Sequence, residues 1–276
     1  MTEHLSVDGG TLAYEVTGGP GPLVLLAHGI GNSRDAYRFV APALAGAGYR
    51  VAAVDLRGCG ESSVDWKSYG QAEVAGDLMA LIRHLGGPAV LVGHSLSGGA
   101  ATIVAARAPE LVSAVVELGP FTRKLAFSLG DLRNAAYRRG ALTMAGTELG
   151  SVGAWKKYLE NAYPGPKPAD WEQSLERTTA ILREPGRMKA LRAMGRSGTA
   201  DSGPALSGVR CPALVVMGTL DPDWASPQAE GEAIVAAMPP GVGRLELIPG
   251  AGHYPHVQFP AETVALIQAF LGSVQV

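Results

Sequence analysis

The chain has 276 residues, of which 47% are hydrophobic and 17% charged, and its formal net charge is -2. That length and composition suit one large globular unit with room for an insertion, and they exclude a disordered chain. The near balance of charge gives no support for nucleic-acid or anionic-membrane binding, and two cysteines, Cys59 and Cys211, make neither a disulfide framework nor a structural zinc site.

In chain order, Leu5 to Val7 and Thr11 to Val16 read as two strands joined by a hairpin at Asp8-Gly9-Gly10. Leu23 to Ala27 is a buried-type apolar strand that ends at His28-Gly29. Asn32 or Ser33 caps a helix expected to run to about Ala47, where Gly48 stops it. Arg50 to Val54 is the next strand, and the Gly-rich loop Asp55 to Ser62 follows it. Gln71 to Leu85 has helical periodicity. The strand at Val90-Leu91-Val92 leads through Gly93-His94-Ser95-Leu96-Ser97-Gly98 into the helical run Ala100 to Ala108, and Ser113 to Leu118 is a strand again. After Pro120 the alternation stops: 121–208 holds several helical segments, broken by Pro164, Pro166 and Pro168, and no convincing strand. The pattern resumes with a strand at Ala213 to Met217, a helix around Ala229 to Met238, a strand at Arg244 to Ile248 and an amphipathic helix from Pro260 to Leu271.

Alternating strands and helices imply an α/β fold, a mostly parallel, doubly wound sheet covered on both faces. The expected organisation is 1–120 as the first part of the sheet unit, 121–208 as a helical cap and 209–276 as the second part. Charge separates the pieces as well. The 121–208 stretch has 14 Lys/Arg against 8 Asp/Glu, net +6, which leaves -8 for the rest. The N-terminus shows no basic stretch leading into an apolar run, and no apolar segment nears the roughly 18 residues of a membrane span, so a soluble cytoplasmic protein with no membrane partner is expected.

A strand, a tight turn and a helix place Ser95 at the apex of a sharp bend, where small flanking residues let the two backbones approach. The strict G-x-S-x-G pattern wants glycine at position 97, where this chain has Ser97 followed by Gly98-Gly99. A serine hydroxyl needs a base within hydrogen-bond reach, and that base needs a group fixing its tautomer. Two later strand ends supply such groups: Asp221 in Gly218-Thr219-Leu220-Asp221-Pro222 and His253 in Gly250-Ala251-Gly252-His253. Ser97 as nucleophile, Asp223 or Glu117 as acid and His256 as base are the rivals within the chain. A non-catalytic turn serine is the bland one.

The sequence resembles the α/β-hydrolase superfamily over nearly its whole length. His28-Gly29, the Asp55-x-Arg57-Gly58-x-Gly60-x-Ser62 loop, the Ser95 bend, Gly218-x-x-Asp221 and Gly252-His253 carry the resemblance. It implies Ser95 as nucleophile, His253 as general base and later acid, Asp221 as orienting carboxylate, and the backbone N–H groups of Ile30 and Leu96 as oxyanion hole. His28 is expected to hold the oxyanion loop in shape and Arg57 to brace its own loop, with substrate binding as the rival role for Arg57. Aspartate-nucleophile relatives such as epoxide hydrolases and haloalkane dehalogenases need a carboxylate where Ser95 stands.

No cofactor and no metal is expected: the chain has no phosphate-cradling G-x-x-x-x-G-K-[ST], no dinucleotide fingerprint and no H-E-x-x-H. The expected partner is a small-molecule ester or lactone; the alternatives are the same residues acting on a carbon–carbon or amide bond or as a cofactor-free perhydrolase, and a non-catalytic ligand-binding module of this fold. The expected cap carries Phe121, Phe127, Tyr137, Trp155, Tyr158, Tyr163 and Trp171, with Met144, Met188 and Met194. Some of these pack helices onto the sheet, and others line an apolar pocket above Ser95.

Overall fold

The computed structural model describes residues 1–124 and 128–274, so Phe127 lies outside the described residues. Eight strands form one sheet in the order β1-β2-β4-β3-β5-β6-β7-β8. Strands β1 (Glu3–Val7) and β2 (Gly10–Gly18) make the expected antiparallel hairpin, and β2 pairs antiparallel with β4 (Arg50–Val54). Every other pairing is parallel: β4 with β3 (Leu23–Ala27), β3 with β5 (Ala89–His94), β5 with β6 (Val112–Leu118), β6 with β7 (Ala213–Gly218), and β7 with β8 (Gly243–Ile248).

Helices α1 (Val40–Gly46), α2 (Gln71–Leu85) and α3 (Leu96–Arg107) connect the first six strands. Among the described residues of the β6–β7 connection there are five α-helices: α4 (Ala135–Glu148), α5 (Val152–Ala162), α6 (Trp171–Arg183), α7 (Arg187–Arg196) and the short α8 (Ser202–Ala205). Helix α9 (Pro227–Ala237) joins β7 to β8, and α10 (Pro255–Gln258) and α11 (Pro260–Ser273) follow β8.

The two-residue period of the strands divides the core. Leu25, Leu91, Val115 and Val215 pack with α2, α3 and α9, while Leu26, Val92, Val116 and Val216 pack with α1 and α11. A third cluster joins Trp155, Tyr158, Leu175 and Leu191 of the inserted helices to Tyr254 and Val257 beyond β8. Among the described residues no helix is long and apolar enough to cross a membrane.

One expected helix is broken. In place of a run from Ser33 to Ala47 there is a 3₁₀ turn at Arg34–Tyr37, then α1 from Val40. Pro42 explains the break: it has no N–H for the carbonyl four residues back, so it is tolerated in a first turn but not in the interior of a longer helix. Tertiary bonds hold the turn instead, with the Tyr37 hydroxyl donating to the Ala27 carbonyl at 2.9 Å.

Candidate active site

Ser95 stands between β5 and α3 with φ 55° and ψ -117°. Among the described residues it alone combines a side chain with positive φ. That conformation costs about 1–3 kcal/mol and persists only where surrounding structure enforces it. Backbone bonds on both sides do so. The Ser95 N–H donates to the Leu118 carbonyl at 2.9 Å, and the Ser95 carbonyl accepts from Phe121 N–H at 3.1 Å and Gly98 N–H at 3.0 Å. Close packing dictates the glycines around it. A Cβ at Gly93 would fall 2.3 Å from the Ser97 carbonyl oxygen, and one at Gly98 would fall 2.5 Å from the Pro120 side chain. Position 97 is less tight: Ser97 is fully buried and its hydroxyl donates to the His28 carbonyl at 2.6 Å. The departure from the glycine pattern thereby gains a hydrogen bond to the neighbouring loop.

Asp221 follows β7 and His253 follows β8. Gly218 and Gly252 bring their loops together, since a Cβ at Gly218 would stand 2.2 Å from the Gly252 carbonyl oxygen. His253 Nδ1 lies 2.8 Å from Asp221 Oδ2, and both side chains are buried. A carboxylate only accepts, so Nδ1 carries the proton and Nε2 is left as the acceptor. The remaining Asp221 oxygen, Oδ1, accepts the Asp223 N–H at 3.0 Å. Burial disfavours the imidazolium, but Asp221 and then Asp223 outweigh it and hold the His253 pKa above its ordinary value. The ring is tied to the bend through His94, whose Nε2 donates to the His253 carbonyl at 2.8 Å. No hydrogen bond joins the Ser95 hydroxyl to the His253 ring; in unliganded enzymes such bonds commonly tighten only when substrate binds.

Ser95, His253 and Asp223 open on one cavity of about 460 Å³, which Ile30 and Leu96 also line. Leu96 N–H is the first of α3 and has no carbonyl four residues back to take it. Ile30 follows the loop that His28 fixes: His28 Nε2 accepts from Leu56 N–H at 3.1 Å, so its Nδ1 donates to the Gly29 carbonyl at 2.7 Å. Arg57 makes a two-pronged bond to Asp77, at 2.8 and 2.7 Å, and holds the Asp55–Ser62 loop against α2.

The inserted helices supply the cavity's far wall. Tyr137, Met144, Tyr158 and Met194 line it together with Phe121, whereas Trp155, Tyr163, Trp171 and Met188 pack among themselves and against the sheet unit. Two contributions of α5 carry no sequence signal. The Ala162 carbonyl accepts the His253 backbone N–H at 3.0 Å, and the Tyr158 hydroxyl donates to Asp223 Oδ2 at 2.6 Å.

The remaining rivals are dispersed. Glu117 is fully buried under α3, bonded to Thr102, and does not line the cavity. His256 is buried against Tyr37, ring centroids 4.9 Å apart, away from the cavity lining. Asp223 comes 3.4 Å from His253 Nδ1, farther than Asp221. Asp221, Asp223 and His253 bring donor atoms within 4.8 Å of one another, and the Asp221–Nδ1 hydrogen bond accounts for one contact among them.

The family model described as the alpha/beta hydrolase family matches residues 24–266. A 2-(acetamidomethylene)succinate hydrolase of Mesorhizobium japonicum is 29% identical over 265 residues, 92% of this chain and 89% of that protein. Epoxide hydrolase B of Mycobacterium tuberculosis is 34% identical over 164 residues, 56% of this chain but only 42% of that protein. An esterase from Thermogutta terrifontis of known structure superposes with a TM-score of 0.78 at 26% identity, covering all of both chains. The chain belongs to the α/β-hydrolase family and is a hydrolase whose fold class is that of the sheet described above.

Proposed function

We propose that the protein is a cofactor-free serine hydrolase acting on a carboxylic ester or lactone of a small, largely apolar molecule. The observation that carries this reading is the strained Ser95 bend opening on the same cavity as the Asp221-bonded His253 ring. Ser95 Oγ attacks the substrate carbonyl while its proton passes to His253 Nε2, and the carbonyl electron pair becomes an oxyanion. Ile30 and Leu96 N–H donate to that oxyanion, and each such donor is worth about 3 kcal/mol in a dry site. On collapse the C–O bond breaks and His253 returns the proton to the leaving alcohol. Water, deprotonated by the same ring, then resolves the acyl-enzyme and frees Ser95. Residues 121–208 act as the cap that closes the cavity and selects the substrate.

A serine at position 95 argues against the epoxide-opening chemistry named for the Mycobacterium relative, because that reaction needs a carboxylate nucleophile there. A second reading keeps the same residues and changes the bond to an amide or a carbon–carbon bond, and the Mesorhizobium relative's acetamido-bearing substrate favours including it. Ser95→Ala is expected to retain the wild-type circular dichroism and lose at least about 10³-fold in p-nitrophenyl ester turnover. Full activity in that variant would falsify the assignment. If only amides or vinylogous diketones in a substrate panel are cleaved, the second reading stands instead.

A further inference from the structure

Asp221 accounts for one bond to the His253 ring, yet a second carboxylate reaches the same edge. Asp223 Oδ2 lies 3.4 Å from Nδ1, against 2.8 Å for Asp221 Oδ2. The same Asp223 oxygen accepts the Tyr158 hydroxyl at 2.6 Å, and the Asp223 backbone N–H holds Asp221 Oδ1 at 3.0 Å. Four groups therefore form one chain: the phenol of α5, the Asp223 carboxylate, the imidazole edge and the Asp221 carboxylate. Two anions crowd one side of one ring, an arrangement that is unfavourable unless the ring becomes positive or a donor steadies the second anion. Tyr158 is that donor.

From this geometry we infer that Asp223 is a positioning residue, a second anionic partner of the His253 ring held in place by Tyr158 of the inserted helices. The inference rests on the reading of His253 as the base. When His253 takes the Ser95 proton, two carboxylates rather than one face the new imidazolium, and the inserted helices hold one of them. Burial pushes the Asp223 carboxyl above the ordinary aspartate value, and the His253 charge opposes that rise. The other titratable groups around the ring are Tyr158 from α5, His94 at the end of β5, Tyr254 next in the chain and His256 on α10. Burial first, and then neighbouring histidines, keep His94 and His256 neutral, so they add no competing charge. Among the described residues no lysine or arginine pairs with Asp221 or Asp223.

The test reads the imidazole itself. Protein carrying isotope-labelled histidine is titrated by NMR as wild type, Asp223→Asn and Tyr158→Phe, with His253→Gln assigning the signal. The His253 midpoint is expected to fall by about one pH unit or more in Asp223→Asn. It falls less, in the same direction, in Tyr158→Phe, because without the phenol nothing holds the Asp223 carboxylate against the ring edge. The rate of Ser95 labelling by a fluorophosphonate, followed against pH, moves its acidic limb downward in step. An unmoved midpoint or an unmoved limb in folded Asp223→Asn overturns the inference. Should that variant not fold, an unmoved midpoint in Tyr158→Phe does so. Absence of labelling in the wild type would sink the serine-hydrolase reading while leaving the NMR titration to decide this one.

Discussion

Glu117 shows at the scale of one residue how burial and hydrogen-bond counting agree. Its side chain is fully buried on β6 and touches Thr102 of α3, whose single hydroxyl hydrogen also faces the Gly98 carbonyl at 3.1 Å. One hydrogen serves two acceptors less well than two hydrogens would. A protonated Glu117 resolves the conflict by donating to Thr102 Oγ1, which then donates to Gly98. Burial raises the Glu117 pKa from 4.5 to about 7, consistent with that protonation state. The sign follows from linkage. An acid with a raised folded-state pKa contributes stability that is fully present below about 4.5 and is lost as pH rises through about 7. The full loss is about 3 kcal/mol. Glu117→Gln keeps the shape and cannot ionise. Urea unfolding is expected to show the two proteins nearly equal at pH 4 and the variant more stable by up to about 3 kcal/mol at pH 8. A difference that does not change with pH would refute a buried, titrating Glu117.

At the scale of elements, the contact between α5 and the His253 loop positions the ring that we propose as the base. Gly252 lies against the last turn of α5: a Cβ there would fall 2.1 Å from the Ala162 carbonyl oxygen and 2.3 Å from Pro164 Cδ. That same carbonyl holds the His253 backbone N–H. Gly252→Ala therefore forces the loop from the helix, at a cost of about 1–3 kcal/mol in overpacking. Displacing a base by about 1 Å lowers turnover about 10²-fold. The expected outcome is a folded protein with kcat reduced on that scale and KM little changed, measured on the best ester of the panel. Unaltered kcat would show that α5 does not set the ring's position.

The sheet and the position of Ser95 were legible from local pattern. β3, the 89–92 part of β5 and β7 are apolar runs bounded by glycines and prolines, and Gly93-x-Ser95 marks the bend between β5 and α3. Pro42 stands inside the run that a cap at Asn32 or Ser33 implies, and it marks the break between the 3₁₀ turn and α1. The role of Tyr158 was not legible, because its contact with Asp223 spans 65 residues of chain and depends on how α4 to α8 fold over the sheet. Asp223 stood in the sequence only as a substitute for Asp221. The spacing of the two aspartates does not reveal that both reach one ring edge.

For the molecule as a whole, the question is what holds residues 121–208 onto the sheet. Their net charge of +6 against -8 elsewhere suggests electrostatic attachment. The contacts say otherwise. The best-formed ion pair across the junction, Arg38 with Asp170 at 2.6 and 2.7 Å, has its cation on the sheet side and its anion on the inserted side, opposite to the charge excess. Both partners are partly exposed, and such a pair is worth about 1 kcal/mol. Apolar contact outweighs it. Tyr163 stacks on Tyr254 with centroids 4.8 Å apart and planes 9° from parallel, Trp155 is fully buried, and a Cβ at Gly31 would fall 2.5 Å from Leu191 and 2.7 Å from the Trp155 ring. Each of these large side chains contributes about 2–3 kcal/mol by burial, a term that salt does not screen. The inserted helices and the sheet are therefore expected to unfold together, with little dependence on salt. In a Trp66→Phe/Trp224→Phe variant the remaining tryptophans, Trp155 and Trp171, both report on the insertion. Its fluorescence and the far-ultraviolet circular dichroism should share one urea midpoint, and 1 M NaCl should change the stability by less than about 1 kcal/mol. An earlier fluorescence transition, brought forward by salt, would show instead that the insertion is a separate unit held by charge.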